Sequence, residues 1–68
     1  MNNTEARIAR IRSGLRQIDL AQRVRVSPSL ISLFESGFRD PSPELARELN
    51  SILGSRVYPE ADEGGERS

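Results

Sequence analysis

Apolar positions along this chain recur at helical spacing in four stretches, with turn residues between them. Residues 4–13, T-E-A-R-I-A-R-I-R-S, predict a first helix. Ile8 and Ile11, continued by Leu15, fall on one side of a helical wheel and form the expected inward stripe. Thr4 is the expected cap, Glu5 sits well near the positive end of the helix dipole, and Gly14 stops the helix. Residues 16–24, R-Q-I-D-L-A-Q-R-V, predict a second helix with Leu20, Ala21 and Val24 inward and Ile18 at the flank. Small Ala21 lets a neighbouring helix come close. Arg16 occupies the N-cap position and is a poor residue for it.

A tight turn at Arg25–Val26 leads into V-S-P-S-L-I-S-L-F-E-S-G, residues 26–37, where both ends of a short helix are specified. The Ser27 hydroxyl accepts from a first-turn N–H, Pro28 takes the first helical position, and Gly37 takes the left-handed conformation that closes the helix. At about 100° per residue, Ile31 and Phe34 define a buried stripe with Leu30 and Glu35 on its flanks. Pro28, Ser29, Ser32 and Leu33 face away. Glu35, an acid at the edge of a buried stripe, needs a partner. Residues 38–41 form a loop, and Ser42, Pro43 and Glu44 start a fourth helix. Its expected inward stripe is Leu45, Leu49, Ile52 and Leu53, and Gly54 ends it. Val57 and Tyr58 pack on the core or on a second subunit, with a short fifth element near Val57 as one form of this. From Pro59, P-E-A-D-E-G-G-E-R-S is acidic and almost without apolar side chains, so residues 59–68 are expected to be a disordered tail behind a domain of residues 1–58. The expected fold is all-α, a bundle of four to five helices.

Sixty-eight residues make one small domain, and 35% apolar with 29% charged residues suits a globular one. Without cysteine or histidine there are no disulfides and none of the usual zinc sites. Asp62 and Glu63 read as solvated charge rather than a metal site. No nucleophile stands with a base and no glycine-rich phosphate loop occurs, so neither catalysis nor a cofactor is expected. No apolar run approaches the roughly 20 residues that span a bilayer and no signal peptide is visible, which makes the cytoplasm the expected compartment. Net charge is zero, but its distribution is uneven. Residues 1–58 hold nine arginines and six acids, a balance of +3, and residues 59–68 hold one arginine and four acids, a balance of −3. The folded part is mildly basic, and every base in it is arginine, which suits bidentate contacts to phosphate.

The string Gly14-Leu15-Arg16-Gln17-Ile18-Asp19-Leu20-Ala21, then Val26-Ser27, Ile31-Ser32, Glu35-Ser36-Gly37 and Pro41, resembles the phage repressor and Cro family, the XRE-type helix-turn-helix. That pattern runs approximately G-L-(S/T)-Q-x-x-L-A-x-x-x-G-V-S-x-x-x-I-S-x-x-E-x-G-x-x-x-P, and the match covers roughly residues 6–54. The resemblance implies a lambda-repressor-like bundle that regulates transcription by placing the helix of residues 27–36 in the major groove of DNA. Pro28, Ser29, Ser32 and Leu33 match the base-facing positions. Family members often carry Gln, Asn, Arg or Lys there, whereas hydroxyls discriminate weakly and Leu33 suits a thymine methyl. Gln17 matches the residue that clamps the DNA backbone and braces the recognition helix. Arg16, Ser27, Ser36, Arg25 and Arg39 are the further expected phosphate contacts.

Arg25 stands where the family usually has glycine, so it either holds a positive φ at a cost or the turn differs. The family often pairs the acid at Glu35 with an arginine of the first helix. The text A-R-I-A-R-I-R and the wheel favour Arg12 for that role, while a gapless register selects Arg10. The implied partner is duplex DNA, bound as a homodimer, with no membrane and no small-molecule ligand. With no sensor domain in the sequence, a Cro-like phage or plasmid regulator responding to its own concentration is expected. The rival readings are an adaptor that binds a protein through Leu33 and its neighbours, and a nucleoid-type binder with little sequence preference.

Overall fold

The computed structural model of the chain describes residues 3–60. Four helices succeed one another: α1 (Thr4–Arg12), α2 (Gln17–Val24), α3 (Pro28–Ser36) and α4 (Pro43–Leu53), and the described residues contain no strand. α3 lies at the centre of the packing, with α2 and α1 against it and α4 against α2. Leu20, Ile31 and Leu49 are the fully buried large side chains, one from each of α2, α3 and α4. Ala6, Ala21, Phe34, Ala46, Leu53 and Tyr58 close the core around them.

α1 departs from its expected orientation by nearly half a turn of the wheel. Ala6, Ala9 and Arg10 are buried, whereas Ile8 and Ile11 are 45% and 56% exposed. The charge sets this rotation. An uncompensated buried carboxylate costs about 3–5 kcal/mol, while two half-exposed isoleucines forgo about 1.5–3 kcal/mol between them. Turning Arg10 inward satisfies Glu35, and the two alanines let α1 approach α3 closely enough for the pair to form. Asn3, rather than Thr4, caps this helix by accepting from the Ala6 N–H at 3.1 Å.

The weak cap at Arg16 is rescued from the other side. Asp19 reaches back to accept the Arg16 backbone N–H at 2.8 Å, and the Arg16 guanidinium donates to the same carboxylate at 2.9 and 3.0 Å. These contacts lower the Asp19 pKa to about 2, the Arg16 side chain first among the causes, and raise that of Arg16. Arg25 holds φ 63°, the only positive φ outside glycine among the described residues. A left-handed non-glycine residue costs about 1–2 kcal/mol, and the turn keeps it because the Val26 N–H then closes on the Ala21 carbonyl at 3.0 Å. α3 and α4 begin as expected, with Ser27 and Ser42 accepting from Leu30 and Leu45 N–H.

The α4 stripe is shifted by about one position: Ala46, Leu49, Asn50 and Leu53 are buried, with Leu45 and Ile52 at the margin. Asn50 organises the segment after this helix. Its Oδ1 accepts from the Val57 and Tyr58 N–H groups, both at 2.9 Å, while Nδ2 donates to the Tyr58 carbonyl at 2.8 Å and to Glu60 Oε2 at 2.7 Å. The chain beyond Gly54 is therefore held in place without a fifth helix among the described residues. Tyr58 is buried in the core, its ring edge-on to Phe34 at 6.1 Å. Its hydroxyl has no hydrogen-bond partner, and burial, followed by the nearby Glu35 charge, pushes its pKa up. The part of the expected tail from residue 61 onward, including Asp62 and Glu63, lies outside the described residues.

Candidate nucleic-acid interface

α3 is buried on one side and open on the other. Ile31, Phe34 and Glu35 face the core, Leu30 is half-buried, and Pro28 and Ser29 are exposed. Ser32 is half-buried, and Leu33 is 36% exposed. The four residues expected to face bases thus lie on one free side, a mainly uncharged surface small enough for a major groove. Ser36 donates to the Ser32 carbonyl at 2.8 Å, which fixes its hydroxyl along the last turn.

What steadies this helix is a buried polar cluster behind it. Glu35 accepts from Arg10 Nε at 2.6 Å, from Arg10 Nη2 at 3.3 Å and from Gln17 Nε2 at 3.1 Å. Arg10 also donates through Nη1 to the Leu15 carbonyl at 2.9 Å. Arg10 is therefore the partner of Glu35, and the preference for Arg12 is corrected: Arg12 is exposed and joins no ion pair among the described residues. The error has the same origin as the misplaced isoleucines, since a wheel centred on Ile8 and Ile11 carries Arg12 inward and Arg10 out.

Above the pair lies a cleft of about 750 Å³ between α1, the start of α2 and the end of α3. Arg7, Arg16, Gln17, Ser32 and Ser36 line it, with Arg10 and Glu35 at its floor. Glu35 is neutralised by Arg10 and Arg16 is paired with Asp19, so the exposed Arg7 sets the sign of the cleft, and the N-terminus of α2 adds its dipole. Gln17 commits one amide N–H to Glu35 and keeps the other free to donate. Arg16 is already engaged by Asp19, yet its side chain remains 79% exposed.

The remaining expected contacts sit at the two ends of α3. Ser27 caps the helix and is exposed, and Arg25 projects from the strained turn before it. At the far end the N–H of Phe38 closes on the Leu33 carbonyl at 3.1 Å and that of Gly37 on Phe34 at 3.2 Å. This Schellman closure, with Gly37 at φ 83°, swings the chain away and leaves Phe38 79% exposed beside exposed Arg39. Arg7 and Phe38 are surface features of this side that apolar periodicity and motif spacing do not pick out. An aromatic residue directly after a helix-closing glycine is the signal for Phe38, while nothing in the spacing alone singles out Arg7.

No curated protein and no solved structure matches the chain. The model of the helix-turn-helix family matches residues 7–58, from the first turns of α1 to Tyr58, which is more than half of the sequence. α2, the Arg25 turn and α3 are the helix-turn-helix of that match, and the chain belongs to the phage repressor- and Cro-like (XRE) helix-turn-helix family of DNA-binding transcription regulators.

Proposed function

We propose that this protein is a sequence-specific, Cro-like repressor that binds a two-fold operator as a homodimer. α3 enters the major groove, where Pro28, Ser29, Ser32 and Leu33 meet base edges. Gln17, Arg16, Ser27, Ser36, Arg25 and Arg39 hold phosphates on either side. The observation that carries this reading is the pairing of an open outward face on α3 with a rigid polar cluster behind it. Serine hydroxyls donate to or accept from several bases, so the base-reading part is modest, and Leu33 adds preference for a thymine methyl. The deformability of the duplex supplies the rest of the specificity. Half-sites lie about one helical turn apart on one face of the duplex.

Selection from a random-sequence duplex pool tests this. The expected product is a short motif with dyad symmetry, bound with an affinity that falls steeply as salt rises. Gln17→Glu and Arg39→Glu weaken all duplexes alike, whereas Ser29→Ala and Leu33→Ala change the preference between them. Uniform affinity for every duplex would replace the repressor by a nucleoid-type binder. The 36% and 79% exposure of Leu33 and Phe38 supports one further reading, an adaptor that docks a protein on the same side. Failure to bind any duplex at low salt, together with a protein partner that is lost on Leu33→Ala, would establish the adaptor instead.

A further inference from the structure

α1 turns its more apolar side to solvent. Ile8 and Ile11 are 45% and 56% exposed, with exposed Thr4 on the same line of the wheel. Isoleucine on a helix surface loses side-chain freedom without gaining burial. Glu5 and Arg12 lie together on one flank of this stripe, at opposite ends of the helix, both exposed and neither in an ion pair among the described residues. A helix that carries opposite charges at the two ends of one flank is complementary to a reversed copy of itself.

We propose that α1 is the self-association surface of this protein. Two copies pack α1 against α1 in antiparallel sense about a two-fold axis. Ile8 of each copy meets Ile11 of the other, and Glu5 of each lies beside Arg12 of the other. This names the interface of the homodimer proposed above and rests on that reading for the existence of a dimer. The symmetry also fits the site. Such a two-fold keeps like flanks on the same side of the pair, and the flank opposite Glu5 carries Arg7, which lines the cleft with Gln17. Both clefts therefore open in one direction, as binding to a single duplex requires. Two nine-residue helices bury less than the roughly 1,200 Å² of a standard interface. The dimer is weak in solution and strengthens where adjacent half-sites hold two copies together.

Sedimentation equilibrium of the full chain without DNA, from micromolar to millimolar concentration, tests the surface. A concentration-dependent dimer is expected. Ile11→Glu, a change at an exposed position that far-UV circular dichroism should show to be folded, weakens association by about tenfold or more. Glu5→Arg and Arg12→Glu each weaken it, and combining the two restores it. A monomer throughout the range, a dimer indifferent to Ile11→Glu, or a double reversal no better than the single ones would overturn the proposal. Ile11 also lines the cleft, so the DNA arm uses Ile8→Glu, which lies outside it: binding to a duplex with one half-site stays salt-dependent, while the gain from a second half-site disappears. A chain that bound no duplex but dimerised through Ile11 would leave this surface standing and remove the DNA reading alone.

Discussion

Replacing Arg10 by methionine puts the central cluster to a quantitative test. Arg10 and Glu35 are 8% and 7% exposed, and Arg10 supplies two of the three side-chain donors that the carboxylate accepts. Arg10→Met keeps most of the unbranched stem but leaves Glu35 with Gln17 alone and the Leu15 carbonyl without its side-chain donor. Breaking a buried pair from one side costs about 3–5 kcal/mol. A domain of this size holds about 3–9 kcal/mol in all, at roughly 0.05–0.15 kcal/mol per residue. The variant should therefore lie near or beyond the edge of folding. Urea titration followed by far-UV circular dichroism measures it, with a midpoint shifted strongly down at constant slope. Arg12→Met, on exposed surface, should change stability by no more than about 0.5 kcal/mol. Arg10→Met/Glu35→Leu removes both charges and should recover most of the loss, since apolar replacement of a buried pair is often neutral. The refolded double variant lacks the acceptor that braces Gln17, so on the phosphate contact proposed for Gln17 its affinity for duplex should fall below the parent's. An Arg10→Met cost below about 1 kcal/mol, or an equal cost for Arg12→Met, would refute the account of how α1 is oriented.

Arg25→Gly removes the strain of the left-handed turn and should raise stability by about 1 kcal/mol, while lowering the salt dependence of DNA binding by about one phosphate contact; an unchanged melting temperature would count against the strain. Tyr58→Phe deletes a buried hydroxyl that has no partner and should leave stability unchanged or raise it by about 1 kcal/mol, read as a melting temperature that holds or climbs by about 4–8 °C. The Asp19 pKa is lowered from 3.8 to about 2, so the stabilisation from its contacts with Arg16 is complete above 3.8 and lost as pH falls towards 2. Unfolding of Asp19→Asn across that range should show a shallower acid loss than the parent, and parallel acid curves would show that the contact contributes nothing.

The two C-terminal helices were legible because chemistry marks their ends. Ser27, Pro28 and Gly37 bound α3, and Ser42, Pro43 and Gly54 bound α4, each by a local rule that needs no knowledge of the rest of the fold. The outward side of α3 followed directly, because Ile31 and Phe34 leave it little choice. α1 was misread because apolar spacing finds the greasy side of a helix, and here the buried side is two alanines and an arginine. Only the long-range need of Glu35 decides that rotation, and sequence periodicity carries no information about it. Asn50 was missed for a related reason. It sits among Ala46, Leu49 and Leu53 on an inward face, where a polar residue signals a satisfied network, yet its partners lie in an irregular segment with no periodicity to predict.

Asn3 has a reach out of proportion to its size. Its backbone N–H donates to the Glu35 carbonyl at 2.9 Å, its amide donates to the Val57 carbonyl at 2.9 Å, and its Oδ1 receives the Ala6 N–H. One asparagine thus clasps the beginning of the domain to its finish, at the very turn that ends α3. Among the described residues the two ends of the helical domain lie side by side, and joining Asn3 to the segment at Val57 asks little additional loop entropy. The clasp also makes Asn3 a lever on α3: a tag or fusion that tugs at Asn3 pulls on the last turn of that helix, whereas new termini cut into the Phe38–Asp40 loop would leave that clasp undisturbed.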